Sequence, residues 1–100
     1  MSDGRLEISD NGRGVELAMI GEFDISNVDS LKDCLSELIL QDRRVAIVDM
    51  TQTEFIDSTT IGALVNGHLA GIAFIIRGAT GSPRRALDIA GLKEVVRLED

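Results

Sequence analysis

Apolar residues recur along the chain in two rhythms, and the changes between them set out its elements. Val15, Leu17 and Met19 alternate in the period-two pattern of a strand over Val15–Ile20, with Leu6–Ser9 a short edge strand before it. Asp10–Gly14 (DNGRG) supplies the turn residues of a hairpin. Gly21-Glu22-Phe23-Asp24 then breaks the strand. Beyond it Val28, Leu31, Leu35, Leu38 and Ile39 form one helical stripe, and Ser26 with Asp29 three residues on reads as its capping start.

Val45–Met50 is apolar almost throughout and β-branched at three positions, which predicts a short buried strand. Phe55–Ile56 comes next, and then Asp57-Ser58-Thr59-Thr60 precedes a new periodicity. Ile61, Leu64, Val65 and His68 suit one face of a second helix, whose start Ser58 or Thr59 is placed to cap. Gly62, Gly67 and Gly71 each weaken that segment by up to about 1 kcal/mol relative to alanine, so a short, marginal helix is expected. Ile72–Ile76 (IAFII) is another continuous apolar run. After the loop Gly78–Gly81, Ser82-Pro83 reads as an N-cap followed by proline at the first helical position. Ala86, Leu87 and Ala90 line that helix, Gly91 ends it with Leu92 as the hydrophobic partner, and Val95–Leu98 is a last strand.

Two apolar strands, each fed through a helix, imply parallel neighbours, while the first pair is antiparallel. The predicted fold is therefore α/β, a mixed four- or five-stranded sheet with helices packed against it, forming one domain over residues 1–100.

Composition sharpens this. Apolar residues make up 44% of the chain with a single proline, so it folds, and three phenylalanines as the only aromatics leave Leu, Ile and Val to build the core. The lone Cys34 excludes an internal disulfide and sits beside the first helical stripe as a packing residue. No signal-peptide pattern is present and no apolar run is long enough to span a bilayer, so a cytoplasmic protein without membrane insertion is expected. Residues 1–42 hold 10 acids against 3 bases, whereas residues 43–100 hold 7 of each. All of the net charge of −7 thus belongs to the first two strands and first helix, which argues against direct nucleic-acid binding and favours a protein partner with a basic face.

The candidate chemistry centres on Ser58. A hydroxyl at a helix start either caps backbone N–H groups or accepts a phosphate, whose charge of about −1.5 to −2 the helix dipole tolerates. Asp49 and Asp57 lie at strand ends nearby, but no histidine, lysine or third carboxylate at useful spacing completes a metal or acid–base site. Asp57 is instead expected to accept backbone hydrogen bonds that shape the loop, and Asp49 to cap Thr51-Gln52. His68, the only histidine, falls on the apolar stripe, too far along the helix from Ser58 to form a catalytic pair. Gly78-Ala79-Thr80-Gly81-Ser82 lacks the lysine of a phosphate-binding loop, and Arg84 and Arg85 read as a solvated face. No complete catalytic set and no cofactor is expected.

Val48-Asp49-Met50-Thr51 followed by Phe55-Ile56-Asp57-Ser58-Thr59, with Gly21-Glu22-Phe23-Asp24 upstream and Ala86-Leu87-Asp88-Ile89-Ala90-Gly91-Leu92 downstream, resembles the anti-sigma factor antagonist family. This is the single-domain branch of the sulfate transporter and anti-sigma factor antagonist (STAS) domains, and the resemblance runs from about Leu6 to Leu98. It implies a bacterial partner switch. The unphosphorylated antagonist binds a cognate anti-sigma factor, often itself a serine kinase, and frees the sigma factor. Phosphorylation at the position of Ser58, with Thr59 the secondary acceptor, ends that binding, and a phosphatase resets it. The antagonist is then a regulator rather than an enzyme. The resemblance places Asp24, Asp57, Ser58, Thr59 and Thr60 at the docking surface, with Thr60 standing where relatives usually carry glycine. Two alternatives use the same fold. One is a scaffold or accessory subunit of a signalling assembly or lipid-transport ATPase complex, insensitive to Ser58→Asp. The other is an anion- or nucleotide-binding module using the helix starts at Ser58 and Ser82.

Overall fold

A computed structural model describes residues 4–10 and 14–100, so the turn expected over Asp10–Gly14 falls largely outside the described residues. The elements are β1 (Arg5–Asp10), β2 (Val15–Phe23), α1 (Val28–Leu40), β3 (Val45–Asp49), β4 (Thr53–Ile56), α2 (Ser58–Leu69), β5 (Ala73–Arg77), α3 (Gly81–Ile89), a 3-10 turn (Leu92–Glu94) and β6 (Arg97–Glu99). The sheet has six strands in the order β1-β2-β3-β5-β6, with β4 also paired to β2. The expected mixture is present: β1 and β2 are antiparallel, and every other pairing is parallel.

The strand beyond the expected four or five is β4. β3 and β4 form one interrupted path beside β2, β3 pairing with Val15–Ala18 and β4 with Gly21–Phe23. A tight turn interrupts it, where Thr53 N–H donates to the Met50 carbonyl at 3.1 Å and Gly21 N–H to that of Gln52 at 2.9 Å. β2 accordingly does not break at Gly21. It runs on to Phe23, because β4 gives its far half a partner, with a register shift between Gly21 and Glu22. Four residues are too short a run for periodicity to reveal.

Leu17 and Met19 on β2, Ala46 and Val48 on β3, and Phe74 and Ile76 on β5 are all buried, and they form one core with the buried residues of the three helices. Their alternates, including Ala18, Ile47 and Ile75, are only partly covered. The helices thus share one face of the sheet. On α1 the stripe is as expected at Val28, Leu31, Leu35 and Leu38, whereas Ile39 lies at its exposed margin. Half-buried Cys34 packs against this core, and burial pushes its thiol pKa up, so it is a poor nucleophile at neutral pH.

On α2 the buried face is Thr60, Ala63, Leu64 and Gly67, rotated from the predicted stripe so that Ile61, Val65 and His68 are only partly covered. The reason is close approach. A Cβ on Gly67 would lie 2.9 Å from Phe74 Cζ and 3.4 Å from Leu35 Cδ1, so Ala63 and Gly67 let the helix come close while Leu64 fills the core beside them. The helix is nevertheless a full 12 residues. The two α2 glycines should therefore respond oppositely to alanine. Gly62 has nothing within 4 Å of such a Cβ, and Gly62→Ala should stabilise the protein by about 0.5–1 kcal/mol. Gly67→Ala should destabilise it by about 1–2 kcal/mol, because overpacking a buried ring outweighs the gain in propensity. Urea unfolding of both variants reads the two signs directly.

Two helix starts differ from expectation. α1 begins after Asn27, not Ser26, whose hydroxyl donates to Asp24 Oδ1. α3 begins after Thr80, with Pro83 the third helical residue, a position in the first turn where no intrahelical N–H is required. Its end is as predicted: Gly91 takes φ 69°, a left-handed conformation suited to glycine, and Leu92 is buried behind it. No helix among the described residues is long and apolar enough to cross a membrane.

Candidate functional site

β2 and β4 end side by side, and the segments leading out of them meet in one turn. Asp57 N–H donates to the Phe23 carbonyl at 3.2 Å, which docks the start of α2 onto the end of β2. The N-cap is Asp57 itself, in extended conformation, rather than Ser58 or Thr59. Its Oδ1 accepts from Thr59 Oγ1 at 2.6 Å and Thr60 N at 3.1 Å, with Thr60 Oγ1 at 3.3 Å. Its Oδ2 accepts from Ile25 N at 3.1 Å, 32 residues away in sequence. One carboxylate thus serves two elements, the first turn of α2 and the loop leading into α1.

That loop has its own internal ties. Asp24 Oδ1 accepts from Ser26 N at 2.9 Å, Asn27 Oδ1 accepts from Asp24 N at 2.9 Å, and Asn27 Nδ2 donates to the Glu22 carbonyl at 2.8 Å. The Asp24 carbonyl then accepts from Val28 N at 2.9 Å, opening α1. Asp24 and Asp57, expected at one surface, are brought together through Ile25.

The three hydroxyl residues separate cleanly. Ser58 is the exposed first residue of α2. Thr59 is partly covered, with its hydroxyl engaged by Asp57. Thr60, expected among the partner-contacting residues, is fully buried, and its Oγ1 also lies 3.2 Å from the Phe23 carbonyl. Its side chain faces inward and is absorbed by the fold. Sequence reasoning missed Ile25, an isoleucine 74% exposed beside Asp57, and Phe55, 41% exposed two residues before it. An apolar residue between Asp24 and Ser26, off the α1 stripe, was the available signal for Ile25.

Partial burial by itself would raise the pKa of Asp57. The hydrogen bonds from Thr59, Thr60 and Ile25 together outweigh it and hold the carboxyl below its ordinary 3.8. It is therefore a fixed anion at neutral pH, suited to capping rather than proton transfer. Asp49 belongs to a separate turn, where its Oδ1 accepts from Thr51 N at 2.9 Å and Thr51 Oγ1 at 2.7 Å. Among the described residues no group of three or more His, Cys, Asp and Glu side chains is placed to hold a metal ion. Near the second expected helix start, Ser82 is exposed and Arg84 turns along its own helix to Asp88 at 3.2 Å.

Fold and turn together define a mixed α/β domain that presents a serine at a capped helix start. The family model for the STAS domain matches residues 5–100, and the chain belongs to that family. None of the curated proteins compared by sequence matches the chain. Among solved structures it is similar to an anti-sigma factor antagonist from Mycobacterium paratuberculosis, with a TM-score of 0.87 at 16% identity, covering 97% of this chain and 86% of that one. It is similar also to the anti-sigma factor antagonist SpoIIAA in its unphosphorylated form, with a TM-score of 0.78 at 20% identity over 94% of this chain and 87% of that one. The phosphorylated form of SpoIIAA, a Bacillus cell fate determinant, gives a TM-score of 0.71 at 20% identity over 94% and 90%. At these identities the likeness establishes the fold.

Proposed function

We propose that this protein is an anti-sigma factor antagonist. Its unphosphorylated form binds an anti-sigma factor that is also a serine kinase, and phosphorylation of Ser58 releases it. The observation that carries this reading is the division of labour in the turn: Asp57 does the capping, Thr59 and Thr60 are engaged or buried, and Ser58 alone is left outward at the helix start. A phosphate there is tolerated by the helix dipole, so the fold survives modification. Support also comes from SpoIIAA, whose phosphorylated and unphosphorylated forms both resemble this fold.

The binding face would include Ile25 and Phe55, exposed apolar residues flanking Asp57, together with Asp24 and Ser58. A partner with an apolar patch and a basic rim fits it. A dianion introduced at Ser58 must be desolvated for that patch to close, which is how phosphorylation ends binding.

The test is intact mass after incubation with candidate anti-sigma kinases and ATP. Wild type should gain one phosphate, Ser58→Ala none, and Thr59→Ala should behave as wild type. Ser58→Glu should weaken binding to the kinase by at least about tenfold, or about 1.4 kcal/mol. Absence of phosphate transfer from any kinase that binds the protein would sink the phospho-switch, and binding indifferent to Ser58→Glu would mark a constitutive subunit instead.

A further inference from the structure

β1 closes one side of the sheet. Among the described residues it pairs with β2 alone, so from Arg5 to Ser9 its other edge is not used by any described strand. The opposite edge strand, β6, has only three residues, whereas β1 has six. β1 also lacks two devices that turn an edge strand away from company: it contains no proline, and its ladder with β2 runs without a bulge from Arg5↔Ile20 to Asp10↔Val15. Ile8, 58% exposed, adds an apolar side chain to it.

The charges on this edge are arranged to match themselves. Arg5 and Glu7 share one face of the strand, their side chains 66% and 59% exposed, and they form an ion pair at 3.1 Å within the strand. When an antiparallel strand pairs with its own copy about a two-fold axis, residues directly opposite lie on the same face, so the axis must pass through a residue. An axis at Leu6 places Arg5 opposite Glu7 of the second copy, and Glu7 opposite its Arg5. It also sets Leu6 against Leu6, and Ile8 against Gly4, where no side chain obstructs it. An axis at Glu7 would oppose two like carboxylates, and one at Ile8 would set Leu6 against Asp10. Of these three registers, only the first sets Arg5 against Glu7.

We propose that β1 is a self-association edge, joining two copies antiparallel about Leu6 into a continuous sheet. The occupant is a second copy of this chain, selected by the Arg5–Glu7 complementarity. The net charge of −7 on each chain opposes association at low ionic strength. At physiological salt the Debye length is about 8 Å, and only charges close to the junction still matter.

Sedimentation velocity over a concentration series at physiological salt tests this with two charge reversals. Wild type should show a monomer–dimer equilibrium. Arg5→Glu and Glu7→Arg each place like charges opposite one another twice, and each should weaken self-association by about tenfold. Both side chains are exposed, so both variants should keep the wild-type far-UV circular dichroism spectrum. Mixing the two variants restores opposite charges at both positions, and a heterodimer at least as tight as the wild-type dimer should form. A wild type that sediments as a monomer throughout overturns the proposal. So does a dimer that neither reversal weakens, since its interface would then lie elsewhere.

Discussion

Phe23→Ala is expected to cost about 3–5 kcal/mol of stability, the usual toll for removing a fully buried aromatic ring. Phe23 has no solvent exposure, and it ends the part of β2 that pairs with β4. Its carbonyl also receives Asp57 N–H and lies within reach of Thr60 Oγ1, so shifting its backbone disturbs the start of α2. Against a typical domain stability of about 5–15 kcal/mol, a loss of this size leaves a substantial unfolded fraction in the less favourable cases. Urea denaturation should show the midpoint falling with little change in slope. Phe23→Leu, which refills most of the volume, should cost markedly less; a loss under about 1 kcal/mol for Phe23→Ala would mean that the ring is not the anchor described.

The second large effect concerns Asp57. Asp57→Ala removes the cap of α2 and the tie to Ile25 together, and about 2–3 kcal/mol should be lost. Asp57→Asn keeps an oxygen acceptor and is itself a good cap, so it should cost much less near neutral pH. The two also differ in acid. Because the folded carboxyl titrates below its ordinary 3.8, the stability contributed by its ionised form is fully present above that value. It is lost as pH falls through the lower, folded-state value. Asp57→Asn removes this contribution to the pH dependence, so the wild-type advantage over it should shrink as pH drops toward and below 3.8. An advantage constant with pH would show that the hydrogen bonds to Asp57 do not favour its charged form.

Much of this architecture was legible because long periodic segments declare themselves. The α1 stripe, the apolar runs of β3 and β5 and the Gly91 stop all took their expected places. What failed was local and short. β4 has four residues and depends on β2 for its existence. The α2 face was misjudged because Gly67 reads as a helix weakener in sequence, while in space it is what lets the helix reach Phe74. In the candidate site the sequence pointed to the run from Asp57 to Thr60 but assigned the cap to a hydroxyl instead of Asp57. Hydroxyl and carboxylate side chains are nearly equal as caps. The additional tie from Ile25, which favours Asp57 over its neighbours, is a contact between distant segments that spacing does not reveal.

That long-range contact also sets what the chain must bring together before the turn exists. β1 and β2 are hairpin neighbours and find each other locally, with Asp10 paired to Val15. The Ser58 turn instead joins positions 32 and 37 residues apart, Ile25 to Asp57 and Phe23 to Thr60. Contacts that close loops of this length carry a greater entropic cost than a hairpin turn and form slowly. The serine exists in the chain from the start, but the surface that frames it exists only once these distant segments have been brought together. A partner that read Ser58 together with Ile25, as proposed above, would recognise the folded chain and not either segment alone.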